Sequence, residues 1–216
     1  MSALFGILLA VWNLTQPARI PELEREFTCP VAVPAPYTQD RRAREGTLLV
    51  VYKEHYRIGL YQNARLKSIA GEDACFRVAM GATPWKPKTR RDYASTPEGW
   101  YHVGDKRDRG QTAFYRGFLI DYPNQDDVDR ALAQGVITQA TADQLTAQLK
   151  AGKVPSQSTA MGGSVLIHGM GSEYPNWTLG CVAVDNRVMD TLFDHVHTGD
   201  DILIIPWGNA PHDAVQ

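Results

Sequence analysis

The sequence predicts a mainly β domain with inserted short helices, and three observations support this fold class. Short apolar runs rich in β-branched and aromatic residues recur between residues 47 and 205, separated by Gly, Pro, Asn and Asp. This spacing is typical of about eight strands. Helical spacing of apolar residues is confined to three short segments. A chain of 216 residues is long enough for one sizeable domain and requires no second core.

The first predicted strands lie in the amino-terminal half of the domain. Residues 47–52 and 56–61 are apolar runs separated by three polar residues, which predicts a hairpin. Residues 74–80 are predicted to form a half-buried strand. Successive side chains of a strand point to alternate faces, so Ala79 and Met80 are expected on opposite faces.

Turns and helices follow in the middle of the chain. Residues 96–99, Thr-Pro-Glu-Gly, predict a tight turn that leads into a strand from residue 100. Another strand is predicted over residues 117–122. Residues 126–135 and 139–149 then show the spacing of two short helices.

Attachments are expected at both ends of the domain, which we place at residues 46–207. Residues 3–14 are apolar but shorter than the roughly 20 residues that cross a bilayer. We interpret residues 1–20 as a signal-like or anchor segment, and membrane association is expected only through residues 3–14. The alternative is an amino-terminal helix packed on the domain. Residues 21–45 are a proline-rich linker or arm, and residues 208–216 form a tail.

Composition and motifs exclude several classes of function. The 22 basic and 24 acidic residues give a net charge of −2, which argues against a nucleic-acid-binding protein. The sequence has no phosphate-binding loop, dinucleotide fingerprint or serine nucleophile elbow. We therefore expect no cofactor and no metal.

Three cysteines leave at least one thiol unpaired. Cys29 and Cys75 are the natural disulfide pair in an exported protein, which would leave Cys181 free. The alternative is that Cys29 and Cys75 are both unpaired, with Cys75 as a small core residue.

The residues with the strongest chemical potential lie between positions 164 and 186. Residues 164–167 form an apolar run that predicts a strand ending at His168, beside Gly169. Cys181 follows Gly180 where a turn leads into a second short strand. An imidazole next to a partly exposed thiol favours the nucleophilic thiolate, so the pair is a candidate catalytic site. Packing of a buried cysteine and histidine is the alternative.

A helix over residues 187–196 and a strand over residues 202–205 complete the domain.

Candidate substrate-binding residues flank this pair. The basic loop after the third strand carries Trp85, Lys88 and Arg90 and would attract a carboxylate-rich ligand. The alternative for this loop is an ordinary solvated loop. Trp177 and Thr178 precede the cysteine turn and are included as candidates.

Two short motifs resemble the signature of the L,D-transpeptidase catalytic domain, the YkuD-like family. That signature is a His-Gly pair followed by Ser/Thr-x-Gly-Cys and an aliphatic residue. Here His168 and Gly169 form the pair, and residues 178–182, Thr-Leu-Gly-Cys-Val, form the second motif. The similarity also includes the segments at 96–99 and 121–124 and covers about residues 46–206.

The resemblance implies a β-sandwich-like domain that acts on peptidoglycan stem peptides in the periplasm of a Gram-negative bacterium. By this resemblance Cys181 is the nucleophile, His168 is the base, and the carbonyl of Gly169 orients the imidazole ring. The backbone amides of Gly180 and Cys181 would bind the oxyanion. The thiolate would attack a tetrapeptide stem, release D-alanine and form a thioester, which an amine or water then resolves.

The sequence departs from the family pattern on both sides of the cysteine. Many members have a histidine and an Arg or Asn where this chain has Leu179 and Ala183. Because of this departure, the sequence does not determine whether an amine or water accepts the acyl group. An L,D-carboxypeptidase or an amidase is therefore the main alternative to a transpeptidase. A non-catalytic cell-wall-binding module is the alternative of another class. The sequence makes no prediction of the oligomeric state.

Overall fold

The computed structural model describes residues 27–209. The expectations for residues 1–20, including membrane association through residues 3–14, and most of the predicted tail lie outside this range. The described residues form eleven strands and three α-helices. The strands are β1 (Thr47–Tyr52), β2 (Arg57–Gln62), β3 (Arg65–Leu66), β4 (Ser68–Ile69), β5 (Glu72–Asp73), β6 (Cys75–Arg77), β7 (Gly99–Arg107), β8 (Gly117–Ile120), β9 (Leu166–His168), β10 (Val182–Ala183) and β11 (Asp201–Ile205). The helices are α1 (Gln125–Ala133), α2 (Gln139–Lys150) and α3 (Asn186–His195).

Nine of these strands form one mixed sheet, which confirms the mainly β fold class. The strand order is β10-β9-β8-β7-β11-β1-β2-β3, and β6 pairs with β2. The pairs β1–β11 and β9–β10 are parallel and the other pairs are antiparallel. Strands β4 and β5 form a separate small hairpin. The three strands that the sequence analysis did not predict, β3 to β5, have only two residues each, too few to show a period.

The long strand β7 joins the two parts of the sheet. Its first half pairs with β11, and its second half pairs with β8 after a register shift between Val103 and Asp105. The extra residue at the shift is Gly104, where an added Cβ would lie 2.7 Å from Val154 Cγ2. A bulge of this kind bends a strand and increases its twist. Strands β8, β9 and β10, and therefore the strands beside Cys181 and His168, follow this bulge in the strand order of the sheet.

The central strands are buried on both faces. On β1, Leu49 and Val51 belong to the core that also contains residues of the three helices, while Leu48 and Val50 belong to a second core. Residues 27–43 cover this second core. Burial on both faces explains why these strands have continuous apolar sequences instead of an alternating pattern.

A disulfide bond fixes the covering segment to the sheet. Cys29 is bonded to Cys75 in β6, so the disulfide is present and Cys181 is the free cysteine of the described residues. The segment containing Phe27, Cys29 and Val33 is thereby held on the face of β1 and β2.

The pattern of residues 78–80 differs from the predicted alternation. Both Ala79 and Met80 are fully buried, because the chain leaves β6 after Arg77 and crosses into the core. Ala79 and Ala183 exchange backbone hydrogen bonds of 2.8 Å in both directions. This contact covers the outer side of β10, next to the cysteine turn.

The predicted turn at residues 96–99 is instead an irregular buried segment. Thr96 and Pro97 are buried, and the ammonium group of Lys53 lies beneath the segment. Lys53 Nζ donates to the carbonyl of Thr96 at 3.0 Å and pairs with the carboxylate of Glu98 at 2.5 Å. A buried cation thus holds this segment, a contact across 43 residues that local turn chemistry does not predict.

Candidate active site

Two parallel strands bring the histidine and the cysteine to one cavity. His168 is the last residue of β9, and Cys181 immediately precedes β10. The register pairs Ile167 with Val182 and His168 with Ala183, so both candidates lie along the same short ladder. The cavity has a volume of about 400 Å³. It is lined by Phe114, Gly163, Ser164, Val165, His168, Trp177, Thr178, Leu179 and Cys181.

The hydrogen bonding of His168 assigns its tautomer. The ring is fully buried, and Nδ1 lies 2.5 Å from the carbonyl oxygen of Gly169. A carbonyl only accepts, so Nδ1 carries the proton and Nε2 has the lone pair. Nε2 has no hydrogen-bond partner within residues 27–209. The imidazole therefore has an unused acceptor at the cavity.

Aromatic side chains enclose the imidazole. Phe114 stacks on His168 with a centroid distance of 3.6 Å and an interplanar angle of 11°, and Trp177 approaches edge-on at 5.8 Å. Burial lowers the pKa of His168, and the hydrogen bond to Gly169 opposes this effect only in part. The ring is accordingly neutral near pH 7, the form that accepts a proton.

The thiol of Cys181 is held against the backbone of β9. Its Sγ accepts a hydrogen bond from the amide of Leu166 at 3.4 Å and lies 3.9 Å from the carbonyl of Ser164. Burial raises the pKa of the thiol, whereas the Leu166 amide and the charge of Lys88 lower it. Both members of the pair therefore rest in their neutral forms. Burial disfavours charge on both groups.

The turn before the cysteine is braced by Thr178. Its hydroxyl donates to the carbonyl of Cys181 at 2.7 Å and accepts from the amide of Gly180 at 3.1 Å. Gly180 has a φ of +128°, and an added Cβ would lie 2.6 Å from the carbonyl oxygen of Ser95. Of the two amides considered for the oxyanion, that of Gly180 is already used. The amide of Cys181 makes no hydrogen bond among the described residues and remains available.

The structure brings some of the predicted substrate-binding residues to the cavity and excludes others. Trp177 and Thr178 line it. Trp85 is 54% exposed and packs edge-on against Trp207, away from the cavity lining, and Arg90 is exposed on the same loop. Lys88 is buried beneath the cysteine turn instead of facing solvent. Trp85 and Arg90 therefore lie outside the lining of this cavity, and Lys88 lies beneath the turn that leads to it.

Two residues of the site were missed by sequence reasoning. Phe114 lies in an irregular segment without periodicity, so nothing in the sequence places it over the imidazole. Asn186, the first residue of α3, accepts a hydrogen bond from the amide of Met170 at 2.8 Å. A Cβ on Gly169 would lie 2.6 Å from Asn186 Oδ1, so the glycine next to the histidine allows this close approach.

Neither a metal site nor a membrane-spanning helix is found in the described part of the chain. Between residues 27 and 209 no three His, Cys, Asp or Glu side chains are grouped so that they could bind a metal ion. No helix in the same range has both the length and the apolar character needed to cross a membrane.

Comparison with known proteins identifies the family. The model of the L,D-transpeptidase catalytic domain, YkuD, matches residues 45–205. No curated protein matches the chain. Among solved structures, an L,D-transpeptidase of Xylanimonas cellulosilytica DSM 15894 is 16% identical, with a TM-score of 0.45 over 76% of this chain and 62% of that one.

Two further structures are similar over comparable parts of the chain. Bd1075 of Bdellovibrio bacteriovorus is 19% identical, with a TM-score of 0.44 over 77% of this chain and 49% of that one. The helical cell shape determining protein Pgp2 of Campylobacter jejuni is 19% identical, with a TM-score of 0.45 over 74% of this chain and 47% of that one. The chain thus spans about half to three fifths of the length of these structures. Because the family model matches most of the sequence, including His168 and Cys181, the chain belongs to the L,D-transpeptidase catalytic domain family.

Proposed function

We propose that this protein is a cysteine L,D-transpeptidase that acts on the tetrapeptide stems of peptidoglycan through a thioester at Cys181. The observation that carries the proposal is the arrangement of the cavity. The single free thiol of the described residues and an imidazole with an unused Nε2 line the same cavity. Family membership supplies the substrate class.

The reaction starts from the two neutral groups. The thiol of Cys181 turns from the carbonyl of Ser164, transfers its proton to Nε2 of His168, and attacks the carbonyl carbon at the L-centre of diaminopimelate. The carbonyl oxygen becomes an oxyanion, for which the amide of Cys181 is the available donor. When the intermediate collapses, the C–N bond to D-alanine breaks and His168 returns the proton to the leaving amine. An acceptor amine then attacks the thioester, loses its proton to His168 and releases the thiol.

We also propose that the protein works in the periplasm of a Gram-negative bacterium. The disulfide between Cys29 and Cys75 supports this location, because such bonds persist in oxidising compartments and are rare in the cytosol. Peptidoglycan is accessible in the same compartment.

Trapping with a carbapenem tests the nucleophile. We expect the wild-type protein to gain the mass of one opened carbapenem and the Cys181→Ala variant to gain none, as measured by intact-protein mass spectrometry. Because Cys29 and Cys75 are disulfide-bonded, neither competes for the reagent. An unmodified wild-type protein would contradict the enzyme and favour a non-catalytic wall-binding module. Equal labelling of the alanine variant would contradict the role of Cys181.

Hydrolysis is the second candidate, and the rim of the cavity favours it. Leu179 lines the cavity with 81% of its surface exposed, and Ala183 is fully buried in β10. Neither side chain offers a polar group that could bind the acceptor stem peptide of a transpeptidation. Water as the acceptor needs no such binding group. In this case the thioester is resolved by water, as in an L,D-carboxypeptidase or an amidase.

Muropeptides distinguish the two outcomes. We expect incubation with tetrapeptide-bearing muropeptides to give dimers linked between two diaminopimelate residues, measured by mass spectrometry, with D-alanine released. Tripeptides alone, formed by loss of D-alanine without dimers, would replace the transpeptidase by the carboxypeptidase. The Cys181→Ala variant is the control and should leave the muropeptides unchanged.

A further inference from the structure

A buried lysine lies beneath the cysteine turn and has no part in the steps above. Lys88 is only 3% exposed, although it belongs to a loop whose other basic residues reach solvent. Its ammonium group donates one hydrogen bond, to the carbonyl of Tyr93 at 3.0 Å. Lys88 forms no ion pair with a carboxylate among the described residues. Burying an ammonium group with one hydrogen bond and no ion pair costs free energy, so we expect a further group that stabilises its charge.

Two glycines provide the space for this ammonium group. A Cβ on Gly180 would lie 3.6 Å from Lys88 Nζ, and a Cβ on Gly162 would lie 3.0 Å from Lys88 Cε and 3.5 Å from Nζ. Gly162 lies in the segment that leads into β9 and Gly180 in the turn that leads into β10. The amine is therefore packed against both chain segments that deliver the catalytic pair.

The charges around Lys88 indicate that it interacts with Cys181. Burial lowers the pKa of Lys88, and the largest opposing effect is the negative charge of Cys181, followed by that of Asp92, while Arg91 acts in the same direction as burial. The interaction is reciprocal, because the charge of Lys88 lowers the pKa of the thiol. The other titratable group at the cavity, His168, is neutral in the resting state.

We propose that Lys88 is a positioning residue that stabilises the thiolate form of Cys181 and does not contact the substrate. A fixed cation beneath the cysteine turn favours the thiolate that forms when the proton moves to His168. Lys88 is packed between its own loop and the two glycines. Stabilisation of the thiolate therefore requires neither movement of Lys88 nor a solvent molecule. The effect on the thiol is independent of any reaction, while its consequence for acylation rests on the proposed function.

The pH dependence of alkylation of Cys181 by iodoacetamide tests this inference. The described protein has one free thiol, so the reaction reports on Cys181 alone. Lys88→Gln replaces the ammonium group by an uncharged amide that keeps a hydrogen-bond donor. We expect its thiol pKa to rise by about one unit, so that alkylation at a fixed pH below the pKa slows about tenfold. The control is Lys86→Gln, which removes the same charge from an exposed position of the loop and should match the wild type.

A reciprocal measurement covers the case in which Lys88→Gln does not fold. At pH values at which the wild-type thiol is ionised, Cys181→Ala removes a negative charge and should therefore lower the pKa of Lys88, measured by NMR titration of the carbon bonded to Nζ, because linkage requires equal coupling in both directions. Superimposable alkylation profiles in a folded Lys88→Gln variant, or an unchanged Lys88 pKa in Cys181→Ala, would overturn the inference. Absence of a carbapenem adduct would overturn the proposed function and leave both of these measurements interpretable.

Discussion

Replacement of His168 by glutamine is expected to slow acylation of Cys181 by a carbapenem by roughly 10²–10⁴-fold, the usual contribution of a general base. Glutamine can still donate to the carbonyl of Gly169 but offers no basic nitrogen at the cavity. The thiol, whose pKa burial raises, would then have no base to take its proton. The measurement is the rate at which the adduct mass appears in single-turnover experiments.

The pH profile of the same reaction gives the result that a merely structural role of His168 would not produce. Burial lowers the pKa of His168 below its ordinary value of 6.5, so the wild-type rate should fall only as the pH drops below that value. Protonation of the imidazole then removes the base. This acid limb should be absent in His168→Gln. The control is His102→Gln, because His102 is partly exposed and hydrogen bonded to Asp121. A His168→Gln variant that kept both the wild-type rate and the acid limb would contradict the assignment of His168 as the base.

Replacement of Gly180 by alanine is expected to affect both stability and activity. The new Cβ would lie 2.6 Å from the backbone oxygen of Ser95, at a φ of +128° that side chains rarely adopt. Backbone strain and overpacking each cost about 1–3 kcal/mol, so we expect a loss of roughly 2–6 kcal/mol in the free energy of unfolding. Because Cys181 follows directly, displacement of the turn should slow acylation by about 10²-fold. Denaturant unfolding and adduct formation measure the two effects.

Gly199→Ala is the matched control for the backbone conformation. Gly199 has a φ of +93°, but an added Cβ there meets nothing within 4 Å. Only the strain of the left-handed conformation remains, about 1 kcal/mol or somewhat more, and acylation should be unaffected. If Gly180→Ala were no more destabilising than this control and kept the wild-type acylation rate, the close packing of the cysteine turn on Ser95 would not matter for either property.

Much of the fold follows from local sequence patterns. The hairpin of β1 and β2 and the helices α1, α2 and α3 lie within a few residues of the segments that periodicity predicts, because apolar spacing directly reflects which face is buried. Residues 78–80 depart from their pattern because the chain leaves the sheet there and packs against β10. The segment 96–98 departs from its predicted turn because Lys53, distant in sequence, fills the space beneath it.

By itself the sequence determined the mainly β class, the strand-end histidine, the cysteine after a glycine turn and, through their resemblance, the family. The tertiary structure decided what surrounds that pair. It placed Phe114 on the imidazole, occupied the amide of Gly180 with the hydroxyl of Thr178, and buried Lys88 beneath the cysteine turn. Phe114 is far from His168 in the chain, and Lys88 is far from Gly180, so these contacts depend on how strands and loops pack. Local periodicity carries no information on such packing.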